Sequence, residues 1–401
     1  MTGRARSGTS DEAHALDAAE ELASLRAEFH VPPGWAYLAA NSLGLQPRSV
    51  RPRLLEELDD WARLGVEGHL EAKRPWLPYH ELLRGPAARL VGARPDEVVM
   101  MNSLTVNLHL MMVSFYRPTA DRHLIVIEDS SFPSDSYAVR SQAAFHGYDP
   151  DVAVVRLDTA DVLDFLAVQG DRVALVLLGG VNYLTGELLD IPAITAAGHA
   201  AGAVVGWDLA HAAGNVPLRL HDWDVDWAAW CSYKYLNGGP GAVAGCFVHA
   251  RHLADRSLPR FEGWWGTRPA SRFEMAAVLE PVESADAWQL SNPPILAMAP
   301  VLASLELFDA VGMDALRAKS IRLTGYLESL LDQEVLTPRD PARRGAQLSV
   351  RVRDAAAVAR RLRELGVIAD SREPDVIRLA PAPLYNTFHD CWRAAEALRH
   401  A

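Results

Sequence analysis

Residues 202–241 read GAVVGWDLAHAAGNVPLRLHDWDVDWAAWCSYKYLNGGPG. Within them, Ala203 to Trp207 is a short apolar run with β-branched residues bounded by Gly202, which predicts a buried strand ending on a carboxylate, Asp208. Ligands of open α/β sheets bind beyond such carboxyl ends. Twenty-six residues after Asp208 a second run, Trp227 to Tyr233, ends on Lys234 and passes at once into the glycine-rich Asn237-Gly238-Gly239-Pro240-Gly241. An acid and a lysine therefore stand at two strand ends that a parallel sheet can make neighbours.

That pairing suits one cofactor in particular. Pyridoxal phosphate needs a lysine for its Schiff base and an acid against the pyridine nitrogen, which keeps the ring protonated so that it acts as an electron sink. His211, three residues after Asp208, faces the same side if a helical turn follows the strand. Singly, Asp208 reads as a solvated strand-end acid and Lys234 as a surface lysine. Together, at this spacing, they predict the cofactor.

The rest of the chain is of the size and composition such a site requires. At 401 residues it exceeds the ~100–200 residues usual for one domain, so a large domain and a smaller partner are expected. The formal net charge of -12, from 39 basic and 51 acidic side chains, argues against nucleic acid or an anionic membrane as partner. Cys231, Cys246 and Cys391 are widely spaced, with no CxxC pair and no histidine cluster, so no metal site is expected and a reducing, cytoplasmic setting is. Met1 to Asp11 is polar and unlike a signal peptide, and no run approaches the ~18 apolar residues of a membrane span.

Outward from the central stretch, strands are predicted at Val98 to Met101, His123 to Glu128, Val152 to Leu157, Val173 to Leu178 and Ala242 to His249, alternating with helices. This alternation predicts βαβ units and a mostly parallel sheet. Ser103-Leu104-Thr105 opens a helix, where the hydroxyls read either as caps or, with the free N–H groups, as an anion site. Phe132 at a strand end reads as a ring that stacks on a flat ligand or as core, and Gly179-Gly180 permits close backbone approach. Before the sheet, Asp11 to Phe29 has helical spacing, Ser49 to Leu64 is an amphipathic helix, and Gly65 to Pro78, carrying His69, reads as a loop. After it, the tryptophans of Phe261 to Thr267 read as an interface anchor or a ligand wall. Ile295 to Leu331 is helical with a break near Gly312, and three short strands then interleave with the helices Ala355 to Leu365 and Asn386 to Leu398. The expected division is an amino-terminal arm over 1–50 that packs with the small domain, a large α/β domain over 51–294, and a small α+β domain over 295–401.

Five ordered blocks give the chain a family resemblance. Trp230-Cys231-Ser232-Tyr233-Lys234-Tyr235-Leu236-Asn237, Trp207-Asp208-Leu209-Ala210-His211, Asn41-Ser42-Leu43-Gly44-Leu45-Gln46-Pro47, Phe132-Pro133-Ser134-Asp135 and Ser291-Asn292-Pro293-Pro294, with the Arg378 segment, resemble kynureninase over nearly the whole chain. The resemblance implies a fold-type-I pyridoxal-phosphate enzyme of tryptophan breakdown, a homodimer with its sites at the subunit interface. It would cleave the Cβ–Cγ bond of kynurenine or 3-hydroxykynurenine to anthranilate or 3-hydroxyanthranilate and alanine. By that resemblance Lys234 holds the cofactor and moves the α-proton, and Asp208 faces the pyridine nitrogen. Leu104, Thr105 and Tyr233 reach the phosphate, Tyr233 also serving as a proton donor, while Phe132, Asp135 and His211 contact the cofactor. Trp264 and Asn292 come from the neighbouring subunit, and Arg378 clamps the substrate α-carboxylate. His69, Ser291 and Asn292 line the aryl pocket in forms that resemble those accepting the 3-hydroxy substrate. Gly179 departs from the family, which often has serine there, leaving only backbone contact. Another ring-substituted kynurenine, a cysteine desulfurase-like lyase and a non-catalytic cofactor-fold protein are the alternatives. The residue before the lysine is Tyr233, where the desulfurase pattern has histidine.

Overall fold

In a buried strand alternate side chains point to opposite faces, and the apolar runs around residues 202–241 split in that way between two cores. The computed structural model describes residues 8–401, so the polar Met1–Ser7 and the start of the expected arm lie outside the described residues. Its strands, in chain order, are β1 (Ala36–Tyr37), β2 (Val98–Met100), β3 (Leu124–Glu128), β4 (Val154–Leu157), β5 (Val173–Gly179) and β6 (Val204–Asp208). They continue with β7 (Trp227–Trp230), β8 (Gly245–Val248), β9 (Leu348–Arg351), β10 (Val367–Ile368), β11 (Asp370–Arg372) and β12 (Val376–Leu379). Seven form one sheet in the order β2-β8-β7-β6-β5-β3-β4. The neighbours from β7 through to β4 run parallel, and β8 is antiparallel to both β7 and β2.

Val205, Trp207, Ala228 and Trp230 face one core and Leu175, Leu177, Trp227 and Ala229 the other. Two tryptophans fit into so tight a sheet because glycines stand opposite them. Gly206 pairs with Trp227 and Gly245 with Trp230. A Cβ at Gly206 would fall 2.2 Å from the Trp227 ring, and one at Gly245 would fall 2.1 Å from Trp230.

A second, antiparallel sheet of β11, β12 and β9 packs with the helix Phe388–Arg399 over a separate core that includes Leu348, Ile377, Leu379 and Phe388. Ala13, Ala36 and Leu38 from the amino-terminal segment join it, and β1 pairs with β10 in parallel.

Several element readings change. The helical spacing of Asp11 to Phe29 resolves into a helix, Ser10–Ala18, and a 3-10 turn, Ala23–Glu28. Between them Glu20 turns back to accept the Leu22 N–H (3.1 Å) and pairs with Arg322 (2.9 Å), a local bond that competes with helix continuation. The loop reading of Gly65 to Pro78 misses a helical turn, Gly68–Glu71, which Trp76 covers at a distance only glycine allows: a Cβ on Gly68 would lie 2.4 Å from its ring. Pro150–Ala153 is helical, so the strand predicted from Val152 starts at Val154. The helix Ile295–Val311 buries Met298, Val301, Leu302 and Leu305 in the large sheet's core, so a small domain beginning at 295 would cut through that core.

The glycine–tryptophan pairs yield a stability test. Gly206→Ala should lower the denaturation midpoint by the equivalent of about 1–3 kcal/mol through overpacking. Gly325→Ala, on a helix with nothing within 4 Å of the added carbon, should raise it by roughly 0.5–1 kcal/mol. Equal midpoints for the two variants in urea melts would contradict this account of the sheet.

Candidate active site

Because β6 and β7 are hydrogen-bonded neighbours, Asp208 at the end of β6 and Lys234, four residues past β7, open onto the same cavity. The space measures about 420 Å³, within the range of small-ligand sites. The chain has three lysines, Lys73, Lys234 and Lys319. Lys73 is exposed and paired with Glu56, Lys319 is buried in the helix Met313–Leu330, and Lys234 alone lines this cavity.

Lys234 Nζ lies 3.0 Å from His211 Nε2 and 5.9 Å from the centre of the Phe132 ring. Burial, followed by the charge of Lys234, holds the His211 imidazole well below its usual range, so the ring is neutral and accepts the lysine's hydrogen bond. Asp208 is 7% exposed and its Oδ1 accepts the Ala210 N–H at 2.7 Å. Burial and the neighbouring Asp208 push Asp135 well above the carboxylate range. Burial, with Asp208 adding to it, raises Glu128 to about 7.

At one end of the cavity two helices begin together, Leu104–Phe115 and Pro133–Phe145. The Ser103 side chain makes no capping bond, and Thr105 Oγ1 meets Ser134 Oγ at 2.8 Å across the gap. First-turn N–H groups without intrahelical partners, at two helix starts that line one cavity, form an anion cradle. Between the two ends, Asp135 Oδ1, Glu128 Oε2 and His211 Nδ1 are buried with no partner. Buried polar atoms are normally paired. An anion cradle, a cavity of small-ligand size lined by Phe132, unpaired polar atoms and one lysine fit pyridoxal phosphate.

The carboxyl-terminal part of the chain matches the model of the kynureninase C-terminal domain over residues 316–398. Kynureninase of Salinispora tropica is 70% identical over an alignment covering 92% of each chain. Kynureninases of Koribacter versatilis and Myxococcus xanthus are 54% and 56% identical, covering 98% and 96% of each chain. The chain belongs to the kynureninase family. It is accordingly a pyridoxal-phosphate-dependent enzyme. Among solved structures, the cysteine desulfurase CsdA of Escherichia coli shares the fold at a TM-score of 0.78 and 18% identity, over 95% of this chain and 98% of its own. So does C-DES with glycine covalently linked to its PLP cofactor, at 0.79 and 19%, over 93% and 98%.

Like the lysine and Asp208, most residues singled out in this kynureninase-family sequence meet at the cavity: Leu104, Thr105, Phe132, Asp135, Gly179, His211 and Tyr233 all line it. The glycine at 179 has a local cause. A Cβ there would stand 3.0 Å from Glu128 Oε1, so a serine would press on that carboxyl.

Five of the expected residues do not line the cavity in the single chain. Trp264 is 41% exposed on a separate surface, with its indole N–H donating to the Arg272 carbonyl at 3.2 Å. Ser291 and Asn292 are exposed, and Leu290 just before them presses against Gly263, so they share Trp264's surface. His69 packs edge-on against Trp76. Arg378 is 1% exposed at its side chain: Nη1 donates to the Tyr183 carbonyl at 2.7 Å and Nη2 to Asp370, while Nε is buried with no partner. Glu128 and Arg372 line the cavity without having been singled out. Glu128 is the last residue of an apolar strand, as Asp208 is, and that was the available signal.

Glu128 binds its proton more tightly in the folded chain, where it titrates near 7, than in the unfolded chain near 4.5. Its contribution to stability is full below 4.5 and is lost as pH rises through 7. Glu128→Gln should remove that decline, gaining up to about 3 kcal/mol over wild type between pH 4.5 and 8. Melts of the cofactor-free proteins across that range check this, and parallel curves for the two would contradict it.

Proposed function

We propose that the chain hydrolyses the Cβ–Cγ bond of kynurenine-type amino acids, with 3-hydroxykynurenine as the favoured substrate. The observation that carries the reading is that Lys234, alone of three lysines, shares a cavity with a strand-end carboxylate on the adjacent strand. When bound, pyridoxal phosphate supplies the electron sink that makes the substrate's α-proton removable and its Cβ–Cγ bond breakable.

Lys234 Nζ would hold the cofactor, Asp208 would meet its ring nitrogen, and Leu104 and Thr105 would hold its phosphate at the two helix starts. Phe132, Asp135 and His211 line the same cavity and would contact it. Lys234 is also the base that moves the proton at the substrate Cα, and neutral His211, 3.0 Å away, fixes the direction of that amine. Burial raises the Tyr233 phenol, which keeps it protonated as a hydrogen-bond and proton donor. The substrate α-carboxylate goes to the end of the cavity opposite the helix starts, in front of Arg378. Water adds to the γ-carbonyl carbon, the Cβ–Cγ bond breaks, and the products are the aromatic amino acid and L-alanine.

The polar His69, Ser291 and Asn292 form the aryl pocket, where a site that hydrogen-bonds a ring hydroxyl disfavours the ring without it. Trp264, Ser291 and Asn292 are exposed in one chain and do not line its own lysine cavity, which supports a homodimer in which each chain completes its partner's site. The three cysteines are buried and free, which supports a reducing, cytoplasmic setting.

Parallel assays of anthranilate and 3-hydroxyanthranilate release, with alanine quantified, test the reaction. Stoichiometric alanine is expected, with kcat/KM favouring the hydroxylated substrate by about tenfold or more and Lys234→Ala reducing turnover at least about a hundredfold. Absence of alanine from both substrates would overturn the reading. For the shared site, co-expressing Lys234→Ala with a Trp264→Ala/Asn292→Ala chain should restore activity that neither variant has alone. No restoration in isolated mixed dimers would contradict it.

A further inference from the structure

At the end of the large sheet away from Asp208 and Lys234, three segments distant in sequence meet. Val98 of β2 pairs with Phe247 of β8, and Val248 of β8 with Trp227 of β7. Glu97 just before β2, His221 in the loop before β7 and His249 just after β8 therefore converge, and one ligand atom of each lies within 4.8 Å of the others. None of the three lines the lysine cavity.

Glu97 is fully buried. Its Oε1 accepts the Ala250 N–H at 2.7 Å and meets His221 Nδ1 at 2.8 Å, and its Oε2 accepts the Arg94 N–H at 2.8 Å. Among the described residues no lysine or arginine pairs with it, and His221 is its one ion-pair partner. The buried Asp226 close by differs, because Arg251, His199 and His252 all bond to it. A carboxylate out of water is costly unless a cation or a metal ion compensates it.

The two imidazoles suit the second solution. Their rings lie parallel, 4.9 Å between centres and 3° apart, so protonating both would set like charges face to face. His249 Nδ1 accepts only the Arg251 N–H, at 3.2 Å, while its Nε2 lies 3.4 Å from Asp224 Oδ1. A carboxylate on one ring nitrogen is what orients an imidazole that ligates a metal through the other.

We propose that Glu97, His221 and His249 form a site for one divalent transition-metal ion of the zinc class, with water as the fourth ligand and Asp224 as the residue that positions His249. Two imidazoles and one carboxylate fit zinc, whereas calcium and magnesium take oxygen ligands. The ion displaces the proton between Glu97 and His221 and ties the start of β2, the loop before β7 and the end of β8 together. Glu97 and His221 stand 124 residues apart, so no ligand spacing marks the set in the sequence, where no metal site is expected.

Metal-stripped holoenzyme without an affinity tag, titrated with Co2+ and then Zn2+, tests this. One Co2+ per chain should bind with the visible bands of a four-coordinate ion, Zn2+ should displace it, and the cofactor's own absorption should not move. His221→Gln and His249→Ala should each weaken Zn2+ binding at least about a hundredfold, and Asp224→Asn about tenfold. A wild type that binds neither ion, or equal affinity in wild type and both histidine variants, would overturn the proposal. If a histidine variant does not fold, anomalous scattering at the zinc edge from wild-type crystals grown with Zn2+ decides. A peak between the three side chains supports the site, and a peak only elsewhere, or none, overturns it.

Discussion

The parallel pairing of β6 with β7 is the constraint on which the site rests. It aligns Asp208 with Ala229, so the segment leaving β7 starts beside the carboxylate and Lys234 arrives over the same opening. A register slip of one residue would turn Asp208 into one of the two cores and leave the lysine without its counterpart. The register is fixed by shape: Trp227 and Trp230 each fit only against a glycine on the next strand. The packing that stabilises the sheet is therefore the packing that positions the chemistry.

Around that pair the electrostatics are divided by place. Helix N–H groups gather at one end, the Arg372–Asp370–Arg378 group at the other, and buried carboxyls between them are held toward their neutral forms by desolvation and by each other. A ligand that is anionic at both ends and polar in the middle satisfies all three zones. The neutral His211 beside Lys234 keeps a second cation away from the amine. The small sheet supplies the arginine end, and Asn41 and Ser42 of the amino-terminal segment close over it, so both ends of the chain contribute to one cavity.

Much of this was legible in the sequence because strands betray themselves by apolar runs and their ends by sudden polarity. Asp208, Lys234 and Phe132 sit at such ends, and the alternation of strands and helices gave the parallel sheet. Glu128 ends its strand in the same way, yet acidic strand ends are common and only its unpaired oxygen in a cavity sets it apart. Arg372 carried no signal, since its place depends on a hairpin pairing distant from the lysine in sequence. The clamp at Arg378 was implied by the family resemblance alone, and the sequence does not show the ion pair that Arg378 makes with Asp370. The extended helix over Asp11 to Phe29 failed because periodicity does not register a side chain, Glu20, that bonds back to the chain.

The central claim is that Lys234 is the cofactor's attachment point. Reducing the purified holoenzyme with borohydride converts a Schiff base to a stable amine, after which peptide mass mapping locates the pyridoxyl group. The account predicts the label on the peptide containing Lys234 and on no other. A label on Lys73 or Lys319, or a spectroscopically loaded protein that carries no label at Lys234, would contradict it.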